Sequence, residues 1–289
     1  MDIDKIAIIG CGLIGGSIAH SIKKHHPQKK IIAFDIDKKT LDYVARENLA
    51  DEAINIEKDK KIDLLRSCKI VVVATPVHLI SDTISKILPH LSENSVVTDT
   101  GSAKSAIVKF VKKNCGSEAP FIGSHPIAGM EEKGIEYSDS AILEGKRVII
   151  TPLKESKKKS LLTIKNFWEK IGMKTVLMSP EEHDRLIAYT SHFPHLAVYL
   201  LMNTLEYRGA KNSNLWKCIG PGFKDFTRIA KSSPQLWTDI ILLNKKEVLK
   251  VSSEFKKQMN KIEALIKSSE KKEIEEYFLK AQKRRKRIK

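Results

Sequence analysis

The stretch IAIIGCGLIGGS, Ile6 to Ser17, decides the reading of this chain. A short β-branched run ends at Gly10, and LIGGSIAHSIKKHH (13–26) follows with helical spacing. Gly10, Gly12 and Gly15 fit the pattern G-x-G-x-x-G. Between a strand and a helix, the first glycine permits the tight turn. The second lets the backbone approach a pyrophosphate, and the third lets helix and strand pack closely. Leu13 and Ile14 open the helix, whose free N–H groups and positive dipole end suit phosphates. Asp35 closes the next strand, twenty residues beyond Gly15. A carboxylate there accepts from a ribose 2′-OH and repels a 2′-phosphate. No arginine follows it, although Lys38 and Lys39 are near. NAD is therefore expected over NADP. The bland alternative is a packing turn, with Asp35 as a helix N-cap.

Outward from this unit the first half alternates. Strand-like runs stand at 5–10, 30–37, 68–75 and 95–100, with helical patterns at 37–49, 77–91 and 105–114, and PFIGSH and KRVIITP close the half. Such alternation predicts βαβ units and a doubly wound parallel sheet of the Rossmann type, an α/β fold. Carboxyl ends of parallel strands line the ligand crevice, which places Thr75 and Pro76 of ATPV and Ser102 of TDTGSAK there. Ser102 also reads as the N-cap of a helix beginning at Ala103.

The character changes near Ser179, beyond which only Gly209, Gly220 and Gly222 remain as glycines. Val248, Val251, Phe255, Met259, Ile262 and Ile266 make one apolar stripe at helical spacing. The expected division is an α/β nucleotide-binding domain over 1–178 and an all-helical substrate and dimerisation domain over 179–289. From the stripe a homodimer through the second half is expected.

Length and composition suit one large or two ordinary domains: 289 residues, 42% hydrophobic. No secretory leader is expected, and no apolar run reaches the ~18 residues of a membrane span. Cys11, Cys68, Cys115 and Cys218 stand apart, with no CxxC and no histidines at metal spacing. They read as reduced thiols of a cytoplasmic protein without a metal site. The net charge is +16, of which the basic tail 271–289 supplies six through nine Lys/Arg against three Glu. Bases interleaved with acids, and only 6% aromatics, read as a solvated surface rather than a nucleic-acid face.

Three segments carry further chemistry. GSHPIAGMEEKGIEYS (123–138) sets His125 between a serine and a proline. TSHFPHLAVYLL (190–201) puts Pro194 inside a helical pattern, where it should kink the helix, with Ser191 and His195 on one face and His192 pointing elsewhere. GPGFKDFTRIAKSSPQLW (220–237) offers Arg228 for a carboxylate, unless it pairs with Asp225, and Trp237 reads as core rather than site.

Taken in order, GCGLIGGS, TDTGSAK, GSHPIAG, SHFPH and GFKDFTRIAKSSPQLW resemble the prephenate dehydrogenase family of tyrosine biosynthesis, from about residue 3 to about 270. The resemblance implies an NAD-dependent oxidative decarboxylation of prephenate, or of arogenate, in which an amine replaces the pyruvyl ketone. It implies His125 as the group that assists hydride transfer at the ring hydroxyl, with Ser102 beside it. It implies Arg228 for a substrate carboxylate, Ser191 and His195 for the side-chain end of the pocket, and Glu131 near its mouth. A neutral His125 with a pKa near the ordinary ~6.5 is expected to take the hydroxyl proton. Another two-domain hydroxyacid dehydrogenase is the alternative on the same plan. Neither the mutase nor the regulatory domain that some relatives carry is expected here.

Overall fold

A computed structural model describes residues 5–209 and 213–288. The strands are β1 (Lys5–Ile9), β2 (Lys30–Asp35), β3 (Glu52–Asn55), β4 (Ile70–Val73), β5 (Val96–Asp99), β6 (Phe121–Pro126), β7 (Arg147–Thr151) and β8 (Lys174–Leu177). The helices of the first part are α1 (Leu13–His25), α2 (Lys38–Arg46), α3 (Ile80–Ile87), α4 (Ser105–Cys115) and α5 (Lys158–Lys170). There follow α6 (Pro180–Ile187), α7 (Phe193–Gly209), α8 (Ser213–Lys217), α9 (Pro221–Thr227), α10 (Pro234–Leu243), α11 (Lys245–Lys267) and α12 (Lys271–Arg285).

All eight strands form one sheet in the order β3-β2-β1-β4-β5-β6-β7-β8. The strand order reverses between β1 and β4, the switch point at which a crevice opens beyond the carboxyl ends. Both faces are covered, so the central strands are apolar in both directions rather than alternating. Ile6 and Ile8 pack on one side with Ile18, Ile22, Phe167 and Trp168. Ala7 and Ile9 pack on the other with Ile80, Ile84, Ile107 and Val111.

The sheet departs from the expected all-parallel form at one place. β6 runs antiparallel to β7, which pairs in parallel with β8. The connection from β6 to β7 holds two short 3-10 turns, Ile135–Tyr137 and Ser140–Ile142, but no α-helix, and an antiparallel return is what a connection lacking a crossover helix permits. The short strands β3 and β8 were not legible as strands. EAIN (52–55) is bracketed by charges, and all four β8 residues are exposed or half-buried. Ser102 is not the N-cap of α4: the helix begins at Ser105 and Lys104 holds the cap position.

By compactness the chain divides into Met1–Asn244 and Lys245–Lys289. Within the first unit, helices α6 to α10 continue from the α/β part. In the second, α11 and α12 pack together, with the Tyr277 hydroxyl donating to Gln258 Oε1 at 3.2 Å. Phe255, Met259 and Ile266 of the apolar stripe are exposed. The basic tail lies along and beyond α12, with only Lys289 outside the described residues. Among the described residues no helix is long and apolar enough to cross a membrane.

The glycine turn has the predicted shape. Gly10 sits at φ +89°, and a Cβ there would meet the Ala74 carbonyl group and the Thr75 nitrogen at 2.8 Å. A Cβ on Gly15 would meet the Gly10 oxygen at 1.9 Å. Gly15→Ala should therefore cost about 1–3 kcal/mol through overpacking of α1 on β1, read as a lower urea midpoint at unchanged m-value. An unchanged midpoint would contradict the close approach.

Candidate functional site

The nucleotide end is built first by backbone. Around Gly12 nothing would obstruct even a Cβ within 4 Å, so the chain lies open at the position where a pyrophosphate must approach. Asp35 is not a helix N-cap. Asp37 caps α2 instead, accepting from the Thr40 N–H at 3.0 Å. Asp35 Oδ2 accepts the Cys11 N–H of the glycine turn at 2.7 Å, and Oδ1 accepts from Ile36 and Asp37. The acid is thus tied to the turn at the lip of the crevice. Gly10 and Gly12 lie in the turn between β1 and α1, Leu13, Ile14 and Gly15 open α1, Asp35 ends β2, and Thr75 and Pro76 follow β4 next to the turn. These residues fit a dinucleotide.

His125 stands on β6, half-buried. Its Nδ1 lies 2.8 Å from Nε2 of His183, and His183 Nδ1 lies 2.8 Å from Oδ1 of Asp184. The same carboxylate accepts the Lys104 N–H at 2.8 Å and the Ser105 N–H at 2.9 Å. Those are free N–H groups at the start of α4, and together with the His183 bond they hold Asp184 below the usual carboxylate range despite burial. Asp184 is therefore ionised, which sets the tautomers. His183 Nδ1–H donates to Asp184, leaving Nε2 as an acceptor. His125 Nδ1–H donates to that Nε2, leaving His125 Nε2 with a bare lone pair. This is the arrangement of a proton acceptor with an orienting pair behind it.

The expectation of a near-ordinary His125 pKa is corrected. Burial first, then the His183, Lys104 and His192 charges, push it well below 6.5. Burial likewise lowers His183, partly offset by Asp184. The neutral base is thereby secured at neutral pH.

His192, expected off the face shared by Ser191 and His195, is fully buried. It belongs to a π turn, Ala188–His192, that joins α6 to α7, and Pro194 is the second residue of α7 just beyond. Asn244 bridges the region: its Nδ2 donates to the Asp184 carbonyl at 2.8 Å and to His192 Nδ1 at 3.0 Å. That leaves His192 with Nε2–H, and the Ser102 carbonyl is the acceptor it faces, outside full hydrogen-bond geometry. Burial lowers His192 to about 4.

His195 lies flat on Trp237, with ring centroids 3.5 Å apart and 19° between planes. Its Nδ1 is 2.9 Å from the Ser191 carbonyl, so the expected pair touches through backbone rather than through the serine hydroxyl. Trp237 is 8% exposed and so is core, but it is also the platform for His195. Arg228 does not pair with Asp225; it contacts Glu131 directly, the guanidinium exposed and the carboxylate half-buried. His183, Asp184, His192 and Asn244 were missed in the sequence. His183 and Asp184 sit as neighbours in EEHD, an unremarked stretch of helix, and their bonds run to residues about 60 to 80 positions away. Among the described residues no three metal-ligating side chains gather into a metal site.

Two family profiles match the chain. One is prephenate dehydrogenase, nucleotide-binding domain, over residues 18–177; the other is prephenate dehydrogenase, dimerization domain, over residues 179–280. The prephenate dehydrogenase of Bacillus subtilis is 33% identical over 281 residues, spanning 95% of this chain and 73% of that protein. The cyclohexadienyl dehydrogenase of Zymomonas mobilis is 32% identical over 281 residues, spanning 97% and 94%. Among solved structures, prephenate dehydrogenase from A. aeolicus, in complex with hydroxyphenyl propionate and NAD+, superposes with a TM-score of 0.92 at 35% identity, covering 100% of this chain and 99% of that one. Synechocystis arogenate dehydrogenase gives 0.83 at 26% identity, covering 99% and 100%.

His192 titrates near 6.5 when unfolded and near 4 when folded, so the unfolded chain binds the extra proton between those values. Stability present above pH 6.5 is lost as pH falls through that window, by about 3 kcal/mol from this group alone. Denaturant titrations at stepped pH should show this loss, and His192→Gln should make it shallower. An equally steep loss in the variant would exclude His192 as its source.

Proposed function

We propose that this chain, which belongs to the prephenate dehydrogenase family, oxidatively decarboxylates prephenate to 4-hydroxyphenylpyruvate with NAD. The observation that carries the reading is the Asp184–His183–His125 chain, which leaves a bare His125 Nε2 at the carboxyl-end crevice.

When bound, NAD supplies the hydride acceptor. Gly10, Gly12 and Gly15 would hold its pyrophosphate and Asp35 its adenosine ribose. His125 Nε2 accepts the proton of the ring hydroxyl as the carbinol C–H departs as hydride. The positive charge that develops on His125 is met through His183 by Asp184. The bond from the ring to its carboxylate then breaks. Carbon dioxide leaves, the electron pair of the broken bond completes the aromatic ring, and the proton held on His125 returns to the ring oxygen to give the phenol. Ser102 aligns the hydroxyl. Arg228 exchanges Glu131 for a substrate carboxylate, and Ser191 and His195, the latter stacked on Trp237, line the side-chain end.

Arogenate is the second reading, favoured by the likeness to an arogenate dehydrogenase at 26% identity over 99% of the chain. An ammonium needs an acid partner, and Glu131, beside the exposed Met130, becomes one once Arg228 turns to the substrate carboxylate, so the choice between the two substrates falls to Met130 and Glu131.

We place the reaction in the cytoplasm, with no membrane or nucleic-acid partner. The four cysteines are free, and burial pushes the Cys68 thiol up to about 11, which makes it unreactive. We further infer a homodimer through the helical segment 179–289, with 1–178 as the nucleotide-binding segment. The exposed part of the α11 stripe, Phe255, Met259 and Ile266, within a segment similar to a dimerization domain supports it.

Reduced-cofactor formation on mixing the protein with NAD and prephenate tests the reaction, beside the same mix with arogenate. His125→Asn should lower turnover by ~10²–10⁴ with NAD affinity retained. Wild-type turnover in that variant would remove His125 from the mechanism.

A further inference from the structure

Lys104 is a fully buried cation that the reaction above does not use. Its ammonium contacts Asp99 directly and donates to the Ser124 carbonyl at 2.9 Å. The second Asp99 oxygen accepts the Ser124 N–H at 3.1 Å, and neither Lys104 nor Asp99 is exposed at all. Stability is a poor reason to keep such a pair, because apolar residues of similar volume often serve as well.

The sheet shows what the pair does. The β5–β6 ladder joins Val97 to Phe121 and Thr98 to Ile122, and ends there. From Gly123 to Pro126, β6 is matched to β7 on its other side. The Ser124 N–H and C=O on the β5 side would thus be buried without strand partners, a costly state. Asp99 supplies the acceptor and Lys104 the donor. The Ser124 side chain is fastened as well, its Oγ accepting from Thr98 at 2.8 Å and from Trp168 Nε1 at 3.0 Å. His125 is the next residue. The Lys104 backbone N–H also binds Asp184, so one residue ties both ends of the histidine chain to the start of α4.

We propose that Lys104 and Asp99 are positioning residues for the reaction: their ion pair replaces the missing rung between β5 and β6 and holds His125 where its Nε2 meets the substrate hydroxyl. The inference rests on His125 as the proton acceptor. The Lys104 charge acts in the same direction as burial and His183 on the basicity of His125. The groups that face His125 are His183 from α6, Lys104 from the loop before α4 and His192 from the π turn, with Asp184 behind His183 and Asp99 behind Lys104.

The test is made on the full chain with Lys104→Met and with the double variant Asp99→Asn/Lys104→Met. The double variant leaves no unpaired buried charge and so keeps the test alive where the single change fails to fold. Expected are a kcat lower by roughly tenfold to a hundredfold, a KM for NAD within about twofold of the parent, and an acid limb of the kcat/KM profile moved to higher pH. An unmoved limb, with or without a fall in kcat, would overturn the proposal, because a purely structural pair does not retune His125. A rise in the KM for NAD alone would overturn it too. Should His125→Asn itself retain turnover, the proton-acceptor reading fails instead, and the two failures are told apart.

Discussion

The Asp184 carboxylate, bound by the two N–H groups that open α4 and by His183, is the constraint on which the site depends. A carboxylate at a helix start is stabilised by the unpaired N–H groups and by the dipole. Here the same charge determines which nitrogen of His183, and in turn of His125, carries a proton. The Asp184 backbone carbonyl, through Asn244, also holds His192. One residue of α6 therefore secures the histidine pair, the loop after β5 and the π turn.

Most of the α/β architecture was legible because its signals are local. β-branched runs, a glycine turn at the right spacing and helix-length patterns each report on a few neighbouring residues, and β1, α1, β2 and α4 appear within a residue or two of their expected bounds. What was not legible depends on partners distant in the chain. β8 is strand only because β7 lies beside it, and the antiparallel return of β6 follows from how a connection folds rather than from any residue in it.

The site divides the same way. The glycines, Asp35 and His125 lie in motifs whose spacing betrays them. His183 lies in a polar helical stretch that looks like any solvated face until the fold brings it 2.8 Å from His125. His192 was set aside by helical geometry, since an α-helix would carry it away from Ser191 and His195. The π turn changes that phase and brings it inward. Trp237 shows that core and site are not exclusive, because the ring that fills the interior also supports His195.

The bond from the Cys11 N–H to Asp35 has a consequence for how such a protein can change over evolutionary time. The acid proposed to discriminate between cofactors is also a strut of the turn proposed to cradle them. A drift toward a phosphate-bearing cofactor cannot proceed by exchanging Asp35 alone. The exchange would strip a buried N–H of its acceptor and loosen the loop in the same step. Cofactor choice and loop geometry are inherited together, so a lineage that switches must first acquire a second support for the turn.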